Sequence, residues 1–277
     1  MDANPNDYPP PLVPSLRHPR PTVWERIKKA LVPLGVVGLL ILKWFAKLKL
    51  LILPALKFLP VLLKTGGSMF LMMWVYAMTW GWWYAVGFVL LIFVHECGHL
   101  VAARRLGLKV GAPVFIPFMG AVIALKDAPR NAWVEAQVGI GGPLLGSLGA
   151  AVCVGISQVT GNDLFRALAY SGFFLNLFNL APIGFLDGGR IVTALSPWLW
   201  LVGTGIVGVL LVTHFNFILL LIFVFSLPRL FSLFRKKSDE EKRYYEVTPG
   251  QRWTMAALYF GLIAFLVLGM RLTQFQP

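Results

Sequence analysis

The chain has 277 residues, 57% of them hydrophobic and only 13% charged, a composition that excludes an ordinary water-soluble globular domain. Its net charge of +13 is gathered in blocks beside apolar runs (Arg26, Lys28, Lys29; Arg104, Arg105, Lys109; Lys236, Lys237, Lys242, Arg243). That excludes a nucleic-acid footprint and reads as membrane topology through the positive-inside rule. The two cysteines, Cys97 and Cys153, lie in apolar segments and suggest no disulfide framework.

In chain order, residues 1–22 carry seven prolines and predict a disordered or polyproline-like tail. Residues 23–64 alternate apolar runs with Lys43, Lys47, Lys49, Lys57 and Lys64, and prolines at 33, 54 and 60 interrupt them. Amphipathic helices lying on the cytosolic leaflet fit that pattern. A first true span across Leu31–Leu53 is the competing expectation, since lysines near a helix end snorkel.

From residue 65 the chain predicts an all-α polytopic membrane protein. Spans are expected near 66–81 and 83–104, separated by the aromatic cluster Trp80-Gly81-Trp82-Trp83-Tyr84 at a membrane interface. Residues 110–126, rich in β-branched and aromatic side chains broken by Gly and Pro, predict a small membrane-associated β-hairpin. Further spans are expected near 133–156, 164–181, 192–213, 216–232 and 253–271, making six to seven in all. Residues 233–252, with their charged stretch Ser238–Arg243, predict a cytosolic loop, and residues 253–277 a C-terminal span. This topology leaves only Arg166 and Arg271 of the 25 basic residues on the outer side. It puts the N-terminus and the mouth of any site near Arg104 towards the cytosol of a bacterial-type cell membrane.

Two stretches carry chemistry. In His95-Glu96-Cys97-Gly98-His99 the histidines are four residues apart, so on a helix both imidazoles project from one face and reach a single metal. Glu96 sits beside them, where a carboxylate can take a proton from water without being a ligand. Cys97 falls about 200° round the helix from His95 and reads as a packing residue. The bland alternative, two core histidines satisfied by backbone carbonyls, is weakened by numbers: the chain has four histidines, and two stand at ligand spacing round a membrane-depth glutamate.

The second stretch is Asn179-Leu-Ala-Pro182-Ile-Gly-Phe-Leu-Asp187-Gly188-Gly189-Arg190. Pro182 breaks the preceding helix, and irregular backbone at membrane depth is tolerated only where it lines a cavity. Asp187 is thus the acid available as a third ligand, because Asp127, Glu135 and Asp163 lie near span ends or in loops. A salt bridge from Asp187 to Arg190 is the competing reading.

Together, the HExxH within an apolar helix and the Asn179-x-x-Pro182-x-x-x-x-Asp187-Gly188 pattern some ninety residues on resemble the site-2 protease family of intramembrane zinc metalloproteases, over about residues 66–232. The resemblance implies one zinc ion per chain held by His95, His99 and Asp187, with Glu96 as catalytic acid/base. It also implies Asn179 as a water-positioning or oxyanion group. The substrate would be a transmembrane protein, unwound locally and cut within the lipid bilayer in regulated intramembrane proteolysis. A hairpin with an open edge beside the metal could hold the substrate backbone as an added strand, guided by Phe115, Ile116, Phe118 and Gly120, or could simply fill space between spans. Asn176, one turn before Asn179, is either a second polar group of the cavity or a helix-packing residue. Where the family often has GxxxN, this chain has Gly142-Pro-Leu-Leu-Gly146. The rival functions are a membrane metal transporter or sensor, which needs no general base, and a non-catalytic protease-like scaffold, whose sign would be a missing ligand or base.

Overall fold

A computed structural model of the chain describes Lys43 and residues 64–118, 120–123, 127–236 and 238–275. The tail at 1–22 and the interfacial helices expected at 23–64 lie, but for those few positions, outside the described residues. The chain divides into two units, 1–59 and 60–277, and all that follows concerns the second.

Helix α1 covers residues 64–80. Gly81, at φ 81°, turns the chain into α2 (Trp82–Arg105). Glycine is suited to that turn because an L side chain is strained at positive φ. Trp80, Trp82 and Trp83 are exposed around it, as an interfacial belt requires. Helix α2 ends on Arg104 and Arg105, cations placed favourably at the negative end of the helix dipole.

Two three-residue strands follow, β1 (Val114–Ile116) and β2 (Gly120–Val122), paired antiparallel with Phe115 opposite Ala121. The hairpin is tied to α1: the Thr65 hydroxyl donates to the Pro113 carbonyl, Phe115 N–H to Ser68 Oγ, and Phe118 N–H to the Tyr76 hydroxyl. The remaining elements are α3 (Ala132–Thr160), α4 (Asp163–Asn179), α5 (Asp187–Leu195), α6 (Leu199–Thr213), α7 (Phe217–Ser232), α8 (Asp239–Tyr244) and α9 (Pro249–Thr273). The expected turn at 160–163 is built from a left-handed Gly161 closing α3 and Asn162 capping α4.

Helix α3 is central, packing against α2, α4, α5 and α9. The main core gathers Ile140, Phe173, Leu180, Ile191, Met255 and Leu266 from these helices. Among the described residues, α2, α3 and α9 are each long and apolar enough to cross a membrane, and α6 and α7 are shorter apolar helices. Outer faces expose Leu90, Leu148, Val152, Phe265 and Leu268, an apolar surface suited to lipid.

One expected span is corrected. Residues 192–213 are not a single helix: α5 stops at Leu195, and α6 begins at Leu199. Pro197 drives the break. It lacks an N–H and disfavours helical backbone in the residue before it, and Ser196 is accordingly extended at φ −164°, ψ 119°.

Candidate metal centre

Helix α2 brings His95, Glu96 and His99 into the interior, all less than 9% exposed. It lies so close to α3 that a Cβ on Gly98 would sit 2.1 Å from the Gly141 carbonyl oxygen. Glycine at both positions is what lets the histidine-bearing turn reach the centre of the fold.

Asp187 arrives from the other side. Helix α4 ends at Asn179, the chain loops through Pro182, and α5 begins at Asp187. That loop folds back on the start of α5. A Cβ on Gly188 would lie 2.1 Å from the Leu180 carbonyl oxygen, and one on Gly189 2.0 Å from that of Ile183. The two glycines after the aspartate are therefore steric requirements.

Three donor atoms converge. Asp187 Oδ2 lies 3.1 Å from His95 Nε2 and 3.1 Å from His99 Nε2, and the two Nε2 atoms are 3.1 Å apart. The opposite ring nitrogens are engaged elsewhere. His99 Nδ1–H donates to the Val138 carbonyl at 2.8 Å, and His95 Nδ1–H to Asn176 Oδ1 at 2.8 Å. Asn176 Nδ2 in turn donates to the Gly172 carbonyl at 2.7 Å, which fixes the amide with its oxygen towards His95. Both imidazoles thus carry their proton on Nδ1 and direct the Nε2 lone pair at the same point as a carboxylate oxygen. Three lone pairs facing one another repel unless a metal ion or a proton lies between them. Tetrahedral zinc with N and O ligands at about 2.0–2.2 Å would separate those atoms by about 3.3–3.5 Å, close to what is found. The residues present fit the metal, and His95, His99 and Asp187 form a group that can hold it.

The group opens on a cavity of about 500 Å3 that is also lined by Glu96, Asn179, Arg190, Phe185, Phe225 and the second strand with its continuation to Ile123. Asn179 Nδ2 bonds back to the Leu175 carbonyl at 3.0 Å. The Asp187–Arg190 salt bridge is not formed; Asp187 Oδ2 faces the histidines instead. Asn176 does not line the cavity. It is 1% exposed and touches the site only through His95.

The four hairpin residues separate. Gly120 lines the cavity. Phe115 turns the other way and is buried against Met72, Tyr76 and Ile92, while Ile116 and Phe118 are exposed. Alternation places Ile116 and its partner on the opposite face from Phe115, but in a three-residue strand it does not say which face meets the site. Ala121, Val122 and Ile123 also line the cavity, as does Arg190, which the sequence offers only as an ion-pair partner of Asp187. For Arg190 the signal was present: three residues after Asp187, it shares that residue's side of a helix.

Residues 83–171 match peptidase family M50, a stretch that takes in His95, Glu96 and His99 and stops before Asp187. A zinc metalloprotease of Methanocaldococcus jannaschii is 32% identical over 120 residues, which are 40% of this chain and 34% of that protein. A probable chloroplastic zinc metalloprotease of Arabidopsis thaliana is 29% identical over 153 residues, and its counterpart from Oryza sativa subsp. indica 27% over 149. Each of the latter two is covered over 27% of its length, so the chain spans about a third or less of these relatives.

Proposed function

We propose that this chain, which belongs to the site-2 protease family, peptidase family M50, is an intramembrane zinc metalloprotease that hydrolyses peptide bonds in or near the membrane-spanning segments of protein substrates. The observation that carries this reading is the convergence of His95 Nε2, His99 Nε2 and Asp187 Oδ2 at 3.1 Å, with Glu96 lining the same cavity.

His95, His99 and Asp187 hold the ion in this reading. Zinc, when bound, supplies Lewis acidity that makes water a nucleophile near neutral pH and polarises the scissile carbonyl. Glu96 takes the proton of the attacking water and delivers it to the leaving amine. Asn179, at the cavity wall, orients the water or the carbonyl oxygen. The β2 edge from Gly120 to Val122 accepts a stretch of substrate as an added strand, which pairs backbone groups that an unwound helix would leave bare in lipid. A non-catalytic scaffold is disfavoured because all three ligands and the base are retained.

Among the described residues, seven membrane passes are proposed: α1, α2, α3, α4, the α5–α6 pair taken as one broken pass, α7 and α9, with α8 outside the bilayer. Residues 65–232 then form the protease core, 233–252 a cytosolic segment, and the basic residues at the C-terminal end of α2 put the site nearer the cytosolic face.

The test is to purify the protein in detergent, measure bound metal, and offer a panel of single-span substrates before and after chelation. About one zinc per chain, with cleavage lost on chelation and restored by zinc, is the expected result. Metal-free protein that still cleaves, or zinc-loaded protein that cleaves none of the panel, would remove the proposal.

A further inference from the structure

Asp187 opens a helix of nine residues, too short to be stable through its own hydrogen bonds. What holds its first turn is a cluster outside the cavity. The Gly189 carbonyl accepts from Trp200 Nε1–H at 2.8 Å and from the Thr193 hydroxyl at 3.0 Å. Arg229, in the last turn of α7, reaches the same carbonyl at 3.4 Å and Thr193 Oγ1 at 3.5 Å, and its guanidinium lies 5.3 Å from the Trp200 ring centroid. Its stem packs on the loop before Asp187, where a Cβ on Gly184 would sit 3.0 Å from Arg229 Cβ.

The other half of the guanidinium donates to Glu135 Oε1 of α3 at 2.7 Å. Glu135 is 7% exposed, and its second oxygen accepts from the Tyr244 hydroxyl of α8 at 2.8 Å. By its charge alone Arg229 reads as one more cation beside a span; in the fold it is the joint between α3, α5 and α7. A buried carboxylate with its charge and both oxygens matched is stable only while the partners stay in place. Any shift of α8 or α7 is therefore transmitted to the turn that carries Asp187.

We infer that Glu135, Arg229 and Tyr244 are positioning residues, a relay that sets Asp187 in register with His95 and His99 and ties that register to the segment between α7 and α9. The inference rests on the proposed role of Asp187 as a metal ligand. A staple with no such role would lower thermal stability alone. The relay also alters the backbone of α5, the zinc affinity, and kcat more than KM, since Arg229, Glu135 and Tyr244 are not among the residues that line the cavity.

The experiment uses the full chain in detergent, with Arg229→Gln, Arg229→Lys, Glu135→Gln and Tyr244→Phe. Amide hydrogen exchange over residues 188–193 is read without metal, zinc affinity by chelator competition, and kcat and KM on a single-span substrate. Arg229→Gln speeds exchange in α5 and weakens zinc by up to about 10-fold, the low end of the effect of losing a group bonded directly to a ligand, because Arg229 reaches the Asp187 turn through the Gly189 carbonyl and Thr193. Arg229→Lys, which keeps the charge but loses the planar fork, restores part of both. Glu135→Gln combined with Arg229→Gln is no worse than Arg229→Gln alone, because Glu135 acts on α5 through Arg229. Wild-type α5 exchange and zinc affinity in Arg229→Gln overturn the relay, whatever its melting temperature. Should that variant not accumulate, Tyr244→Phe decides by the same two readouts. Wild-type protein that holds zinc yet cleaves nothing, with the exchange and zinc-affinity responses of Arg229→Gln intact, sinks the protease reading and leaves the relay standing; wild-type protein that holds no zinc overturns both.

Discussion

Gly142 and the His99 imidazole are in contact: a Cβ on Gly142 would lie 2.2 Å from His99 Nε2, the atom directed at Asp187. The central helix therefore shapes the site although it supplies no ligand. Gly142→Ala must push the ring aside or part α2 from α3. Zinc affinity should fall by about 10- to 100-fold, with a loss of about 1–3 kcal/mol in stability from overpacking. Chelator competition and thermal melting measure the two effects separately.

Asn176 offers a second, independent way to disturb a ligand without touching it. Replacing it with Ala leaves His95 Nδ1–H without its acceptor and frees the ring to rotate or change tautomer. Gly146→Ala does the same from the opposite side, since a Cβ there would lie 2.2 Å from Asn176 Oδ1. Both variants should lose zinc affinity by about 10- to 100-fold. Were Asn176 only a helix-packing residue, melting would fall and affinity would hold.

Much of this was legible beforehand, and the exceptions have physical causes. The two spans expected at 83–104 and 133–156 correspond to Trp82–Arg105 and Ala132–Thr160, because apolar runs of that length end at unmistakable signals: arginines after one, and Asn131 and Gly161 around the other. The HExxH spacing and the Pro-interrupted stretch before Asp187 marked the residues that converge. The split between α5 and α6 was obscured because hydropathy is continuous across it; Pro197 was the only cue. Phe115, expected to guide substrate, is instead buried in the core; so short a strand shows no alternation from which its face can be read. The role of Arg229 is not legible in the sequence, because an ion pair with a residue 94 positions away leaves no local trace. The bond from His95 to Asn176, across 81 residues, is hidden for the same reason.

Tyr244 gives a pH signature. Burial, reinforced by the Glu135 carboxylate beside it, holds its phenol above the ordinary value of 10.0. A group whose folded pKa is raised contributes stability below its unfolded pKa and loses it as pH climbs through the folded one. The link from α8 to α3 should accordingly persist through neutral and mildly alkaline pH and weaken only well above pH 10. Ultraviolet titration of wild type against Tyr244→Phe isolates this phenol: its ionisation should come later than that of an exposed tyrosine. An ordinary titration would show that Tyr244 does not stay on Glu135 in solution.

The division of labour within the HExxH turn is tested by Glu96→Gln, which keeps shape and burial and removes only the proton-accepting charge. Zinc content and cleavage of one single-span substrate are measured on the same preparation. The account predicts zinc equal to wild type and cleavage reduced by about 100-fold or more, the usual size of a lost general acid–base contribution. Full zinc with undiminished cleavage would contradict it, because the proton would then be handled by some group other than Glu96.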